Sequence, residues 1–260
     1  MSTPLPLCKR SETEHVRKFV EYAKLCVNEA RIYPPINGYR YMVALSLYSK
    51  CITVAEATLA LLDSGFSDEA FGMTRTLVDI FITLRYIANK DTDDRARRYA
   101  EFSAKDSEVW TEVTRIYWPQ LEHPLPERTK SLAATYHSPH QWAGRTAKEM
   151  ALEPDTVEVD SATGRPAVHD FAYRVIYRWT SHYVHPTIGA LRNHLVQAGR
   201  DNFVVRGGNA QDMRHLTIFN TATYVVKTMI FFYRCMGDPQ PERLSKWAGA
   251  LIPHVARRHK

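Results

Sequence analysis

The apolar residues of this chain recur with a helical period along almost its whole length, and that period limits what it can fold into. Val16, Phe19, Val20, Ala23, Cys26, Val27 and Ala30 follow one another at intervals of one and three, which places them on one face of a helix. Ser11 with Glu14 three residues later forms a capping box before that run, and Pro34-Pro35 stops it. A second helix is expected over about 41–62, closed by Asp63-Ser64-Gly65, and a third over about 67–89, with Ser67 as cap and Asp68 and Glu69 in its first turn. A charged fourth helix opens at Asp91 and Thr92 and runs to about 117. Helical spacing resumes near 169, breaks at Pro186, and returns over about 211–236, with a short helix near Pro241. No stretch alternates apolar and polar residues between hairpin turns, so strands are not expected. The predicted fold is all-α, a multi-helix bundle forming a single domain over 1–260.

One stretch departs from this texture. Prolines 119, 124, 126, 139, 154 and 166 interrupt residues 118–166, which leaves room only for short helices, such as one after Trp142. This reads as an irregular insertion or lid-like connection.

The bulk properties exclude several classes. With 45% hydrophobic and 24% charged residues, the chain has the composition of an ordinary globular protein. Cys8, Cys26, Cys51 and Cys235 lie far apart, with no CxxC and no Cys/His pair at metal spacing; a reduced, cytoplasmic protein without metal or other cofactor is expected. MSTPLPLCKR lacks the apolar core of a signal peptide. The most apolar run, 224–233, contains Lys227 and is too short to cross a bilayer, so no membrane association is expected. A formal charge of +6 leans weakly towards anionic partners.

The chemistry-bearing residues concentrate in RVIYRWTSHYVHP. Arg174, Arg178, Ser181, His182 and His185 recur at three- and four-residue intervals, so a continuous helix would line them along one face. Arg178 and His185, seven apart, would then emerge from nearly the same azimuth. An arginine that holds a phosphate beside a histidine that moves a proton suits cleavage of RNA through its 2′-hydroxyl. Spacing alone carries little weight, because an Arg–His pair at this separation arises by chance roughly three times in a chain of this composition.

Arg75 and Asp79, at i and i+4 in an otherwise apolar helix, read first as a buried ion pair bracing the bundle. In a functional reading they would face a polar cavity shared with His185, and Arg85 and Tyr86 could extend its lining. The run from Asp93 to Trp110 pairs its charges at i,i+4, Asp94 with Arg98 and Arg97 with Glu101, and reads as a solvated face with Tyr99 and Phe102 turned inward. Tyr224, Phe231, Phe232 and Tyr233 read as core or a dimer contact.

TRTLVDIFITLRYI, RARRYAEF, WAGRTAKEMA and YRWTSHYVHP together resemble a widespread bacterial all-helical family of unknown function. That family combines an Arg-x-x-x-acid helix with a Tyr-x-x-x-Ser-x-x-x-His-Pro segment, here Arg75, Asp79, Tyr177, Ser181 and His185. The likeness spans about residues 15–235, and Asp79 stands where glutamate is the commoner acid. The family in turn resembles the HEPN superfamily, helical bundles that include metal-independent ribonucleases of toxin and antiphage systems. Those enzymes carry Arg, four to six residues, then His, with a polar residue after the Arg; here Trp179 takes that place. The resemblance implies RNA as substrate, a symmetric homodimer and a partner within a defence system. It makes His185, Arg178 and Ser181 the catalytic group, with Arg75, Asp79, Arg174, Tyr177 and His182 around the substrate. A non-catalytic module, binding a protein or a small anion through a buried Arg/Asp/Ser/His network, is the alternative.

Overall fold

Helix-forming residues with few interior breakers give long helices wherever the apolar period is sustained. In a computed structural model, residues 11–29, 38–136, 142–160, 162–185, 195–197, 203–205 and 212–237 are described. The helices are α1 (Ser11–Glu29), α2 (Tyr39–Asp63), α3 (Ser67–Asn89), α4 (Thr92–Glu101), α5 (Ser103–Tyr117), α6 (Glu127–Ala134), α7 (Ala147–Leu152), α8 (Arg178–Val184) and α9 (Asp212–Met236). The chain is an all-α multi-helix bundle.

α3 is the central element, packed between α2 and α9 and touched by α7 and α8. Leu77, Val78, Phe81, Ile82, Leu84 and Ile87 are fully buried on it. Tyr48 of α2 stacks on Phe232 of α9 at 4.6 Å, and Phe81 of α3 meets Tyr224 and Phe231 of α9. The aromatic face of α9 is thus core. Among the described helices α2 alone is long and apolar enough to cross a membrane, but half of its most apolar window is buried within the fold, with Leu47, Cys51, Val54 and Leu59 in the core.

Several local expectations are corrected. Ser67 is the first helical residue rather than the cap of α3, since Phe66 occupies the cap. The expected fourth helix is two: it turns at Phe102 into α5. Residues 195–197 and 203–205 pair as a small antiparallel hairpin, Leu195 opposite Val205; strands of three residues are too short to show alternation. The expected short helix near Pro241 lies outside the described residues.

The proline-rich stretch divides in two. Its first half, a 3-10 turn at Pro119–Leu121 followed by α6, packs mainly on α5. Its second half rejoins the core: Trp142 lies edge-on to Tyr86 and Tyr99 at 5.7 and 5.1 Å. Glu153 and Asp155 then enter a buried ion network. Glu153 accepts two hydrogen bonds from Arg95 (2.8 and 3.0 Å) and one from Asn89 (2.7 Å). Arg85, fully buried, donates to the Met150 and Glu153 carbonyls and stands 3.7 Å from Asp155, which also receives Arg234. Burial alone would raise both carboxyls, but hydrogen bonds and the neighbouring arginines outweigh it and hold them below their usual range. This half is tied to the bundle through Trp142 and the buried ion network.

Candidate functional site

α8 is the end of a longer helical run that begins at Asp170 and includes a π-helical stretch, Ala172–Tyr177. Such stretches carry one extra residue in the turn and recur at functional positions. Phe71 of α3 receives Trp179 and Tyr183 edge-on at 5.4 and 5.0 Å. At Gly72 the two helices lie close together, and a Cβ there would stand in ordinary contact, 3.6–3.7 Å from Val184 and Tyr183. Trp179 thus anchors α8 on α3.

This packing brings Arg75 to Tyr177 and His185. The Arg75 Nη2 donates to the Tyr177 hydroxyl at 3.1 Å, its Nη1 lies 3.3 Å from His185 Nε2, and the guanidinium stands 4.9 Å from the Tyr177 ring centre. Tyr177 is steadied by stacking on Tyr173 at 5.0 Å. An arginine cannot accept a hydrogen bond, so in this contact Nε2 accepts and the imidazole proton resides on Nδ1. Arg75 and Tyr177 are half-buried while His185 is exposed, so the cluster opens to solvent.

The expected single helix face does not form. The helix ends at Val184, and His185 has extended backbone angles (φ −103°, ψ 141°), so its side chain leaves the azimuth of Arg178. Its arginine is Arg75. Arg178 and His182 are exposed, and Arg178 has no hydrogen-bonding or ionic partner among the described residues. Ser181 donates to the Tyr177 carbonyl at 2.6 Å; it serves its own helix and does not orient the imidazole. Arg174 pairs with Asp170 at 2.5 Å on the surface.

Asp79 does not pair with Arg75 among the described residues. Burial raises its carboxyl to about 6, against a smaller lowering by the Arg75 charge. A half-buried carboxyl that titrates near neutrality suits proton transfer. Tyr99 of α4 is held above its ordinary range by burial and by the charges of Asp106 and Asp79. It is a neighbour that the sequence marked only as inward-facing. Arg85 and Tyr86 do not line this site: Arg85 serves the buried ion network, and Tyr86 is buried against Trp142.

Away from this cluster, Asp155, Glu158 and His169 bring potential ligand atoms within 4.8 Å of one another. The charge there is already balanced. Asp155 is occupied by Arg234, Arg85 and the Val157 and Glu158 amides, and His169 lies 3.6 Å from Glu158. Lys227, its ammonium disfavoured by burial, feels Glu158 and Arg85 nearby. A divalent ion would add charge where three cations converge, so the group reads as structural.

Residues 41–203 match a family of unknown function (DUF5677). No curated protein and no solved structure matches the chain.

Proposed function

The chain belongs to this DUF5677 family, whose membership carries no activity with it, and we propose from the site itself that the protein acts on RNA as a metal-independent, HEPN-like endoribonuclease. The carrying observation is that Arg75 joins the Tyr177 hydroxyl and the His185 imidazole in one solvent-open cluster. A phosphodiester entering it takes over the Arg75 N–H donors, which frees His185 Nε2. The 2′-hydroxyl gives its proton to Nε2 as its oxygen attacks phosphorus, Arg75 balances the charge that develops, and the departing 5′-oxygen takes a proton from solvent water. Arg178 and His182, exposed on α8, supply further contacts to the RNA backbone or bases. The resemblance to HEPN enzymes supplies the setting, a toxin or antiphage system in the cytoplasm.

The openness of the cluster favours this over a buried network that only fixes packing, which would be closed and fully hydrogen-bonded. The test is cleavage of end-labelled RNA in excess EDTA. His185→Ala and Arg75→Ala, each checked for unchanged melting, should lose about a hundredfold or more in rate, and Arg178→Ala should lose less. An inactive wild type, or a His185→Ala protein that cleaves as well, would overturn the reading.

A further inference from the structure

Cleavage through Arg75 and His185 leaves one polar group of the cluster unused. Arg75 and Asp79 stand one turn apart on the same side of α3, the spacing at which an ion pair ordinarily closes. Here the guanidinium is drawn off to Tyr177 and His185. The half-buried Asp79 carboxyl keeps no hydrogen-bond donor among the described residues; burial and the Arg75 charge are what act on it. The π-helical stretch and α8 run antiparallel to α3, with Val184 beside Gly72 and Tyr177 beside Arg75. One turn further along α3, Asp79 therefore comes to the level of Tyr173. Tyr173 is the end ring of a column: the Arg75 guanidinium stands 4.9 Å from the Tyr177 ring centre, and Tyr177 stacks on Tyr173 at 5.0 Å. Tyr173 is half-buried, and no further ring stacks on it among the described residues. Tyr99 of α4 also lies close enough to feel the Asp79 charge.

We infer that Asp79 reads the base of the nucleotide whose 3′-phosphate sits at Arg75, and that this base is guanine. The inference rests on the ribonuclease reading only for Arg75 as the phosphate clamp. An unstacked base finds on Tyr173 the aromatic surface that single-stranded nucleotides use, with Asp79 at its edge. Edge chemistry then selects among the four bases. An ionised carboxylate only accepts hydrogen bonds, and the Asp79 carboxyl, raised to about 6, is ionised at pH 8. Guanine alone offers two adjacent donors, N1–H and the N2 amino group, which a carboxylate takes with one oxygen each as a charge-assisted pair. Adenine and cytosine set a ring-nitrogen acceptor beside their amino group, and uracil flanks its single N–H with two carbonyls. Each of these presses a lone pair against the negative charge. Guanine instead supplies the donors that the half-buried carboxylate lacks, and a polar group left unsatisfied on burial is costly.

The experiment is titration calorimetry of the full chain at pH 8 with the 3′-monophosphates of guanosine, adenosine, cytidine, uridine and inosine. Inosine keeps N1–H and lacks the N2 amino group. The guanosine nucleotide should bind about tenfold or more tightly than each of the others, the discrimination of a good bidentate base contact. Asp79→Ala, its folding checked by melting, should bind the guanosine and inosine nucleotides alike. Equal affinity of wild type for all five, no binding of the guanosine nucleotide, or a preference that survives in well-folded Asp79→Ala would overturn the inference. Mapping of cleavage ends separates it from the ribonuclease reading. A wild type that cuts RNA without regard to the base on the 5′ side of the break keeps that reading and overturns this inference. Guanosine-selective binding, lost in Asp79→Ala, by a protein that cuts nothing supports this inference and overturns the other.

Discussion

Glu153→Ala should be among the most damaging single substitutions in the chain. The Glu153 side chain is 5% exposed and that of Arg95 is 8% exposed. The substitution leaves the guanidinium buried without its carboxylate and Asn89 without one acceptor. Breaking a buried pair from one side costs about 3–5 kcal/mol. Arg95 keeps its hydrogen bond to the Tyr86 carbonyl and its position 3.7 Å over the Tyr86 ring, so the lower end applies, about 3 kcal/mol. At roughly 2–4 °C per kcal/mol for a chain of this size, the melting temperature should fall by roughly 6–12 °C in calorimetry at neutral pH. The Glu153→Met/Arg95→Met double variant should recover much of that loss, because it removes both charges together. A shift of the single variant no larger than a surface pair produces, or a double variant that loses the sum of both singles, would refute the account.

Asp79→Asn should stabilise the protein at about pH 8, by about 1–3 kcal/mol. The folded carboxyl is raised to about 6, so the unfolded state binds fewer protons below that value and native stability falls as pH rises towards it. The advantage of the variant should vanish by about pH 4, and a gain that stays constant with pH in thermal melts would contradict it. Glu153 and Asp155, both depressed, act in the opposite sense: their contribution is present at neutral pH and lost as pH falls through their folded values, so acid titration by circular dichroism should show earlier unfolding of wild type than of the Met/Met variant. Gly72→Ala should change stability by no more than about 1 kcal/mol, its Cβ meeting only ordinary contacts. Gly72→Leu should force α8 away from α3 and abolish any activity of the Arg75 cluster, which a cleavage assay beside a folding check would detect.

The bundle was legible because its signal is periodic and long: the expected helices near 41–62, 67–89 and 211–236 differ from α2, α3 and α9 by two residues or fewer at each end. Arg75, Tyr177 and His185 were each picked out as candidate residues, but their mutual arrangement was not. The sequence suggested pairing along one helix, Arg178 with His185 and Arg75 with Asp79. The fold pairs across helices instead, since His185 falls just beyond the last turn of α8. Glu153 and Asp155 sat within a proline-rich stretch, where nothing local marks a carboxylate as the partner of arginines some 60–70 residues earlier. Long-range ion pairs have no period, and only the packed structure reveals them.

The π-helical stretch before α8 has a consequence for how this site tolerates change. An α-helix advances about 100° per residue, so the additional residue accommodated within Ala172–Tyr177 sets the rotational phase of Tyr177 and of everything after it. Substitutions there keep that phase. Losing a single residue would let the run relax to a regular helix and turn Tyr177 by about 100°, away from Arg75, with every side chain of the cluster still present in the chain. The site is therefore sensitive to insertions and deletions even where, as at exposed Val175, a point change would pass unnoticed.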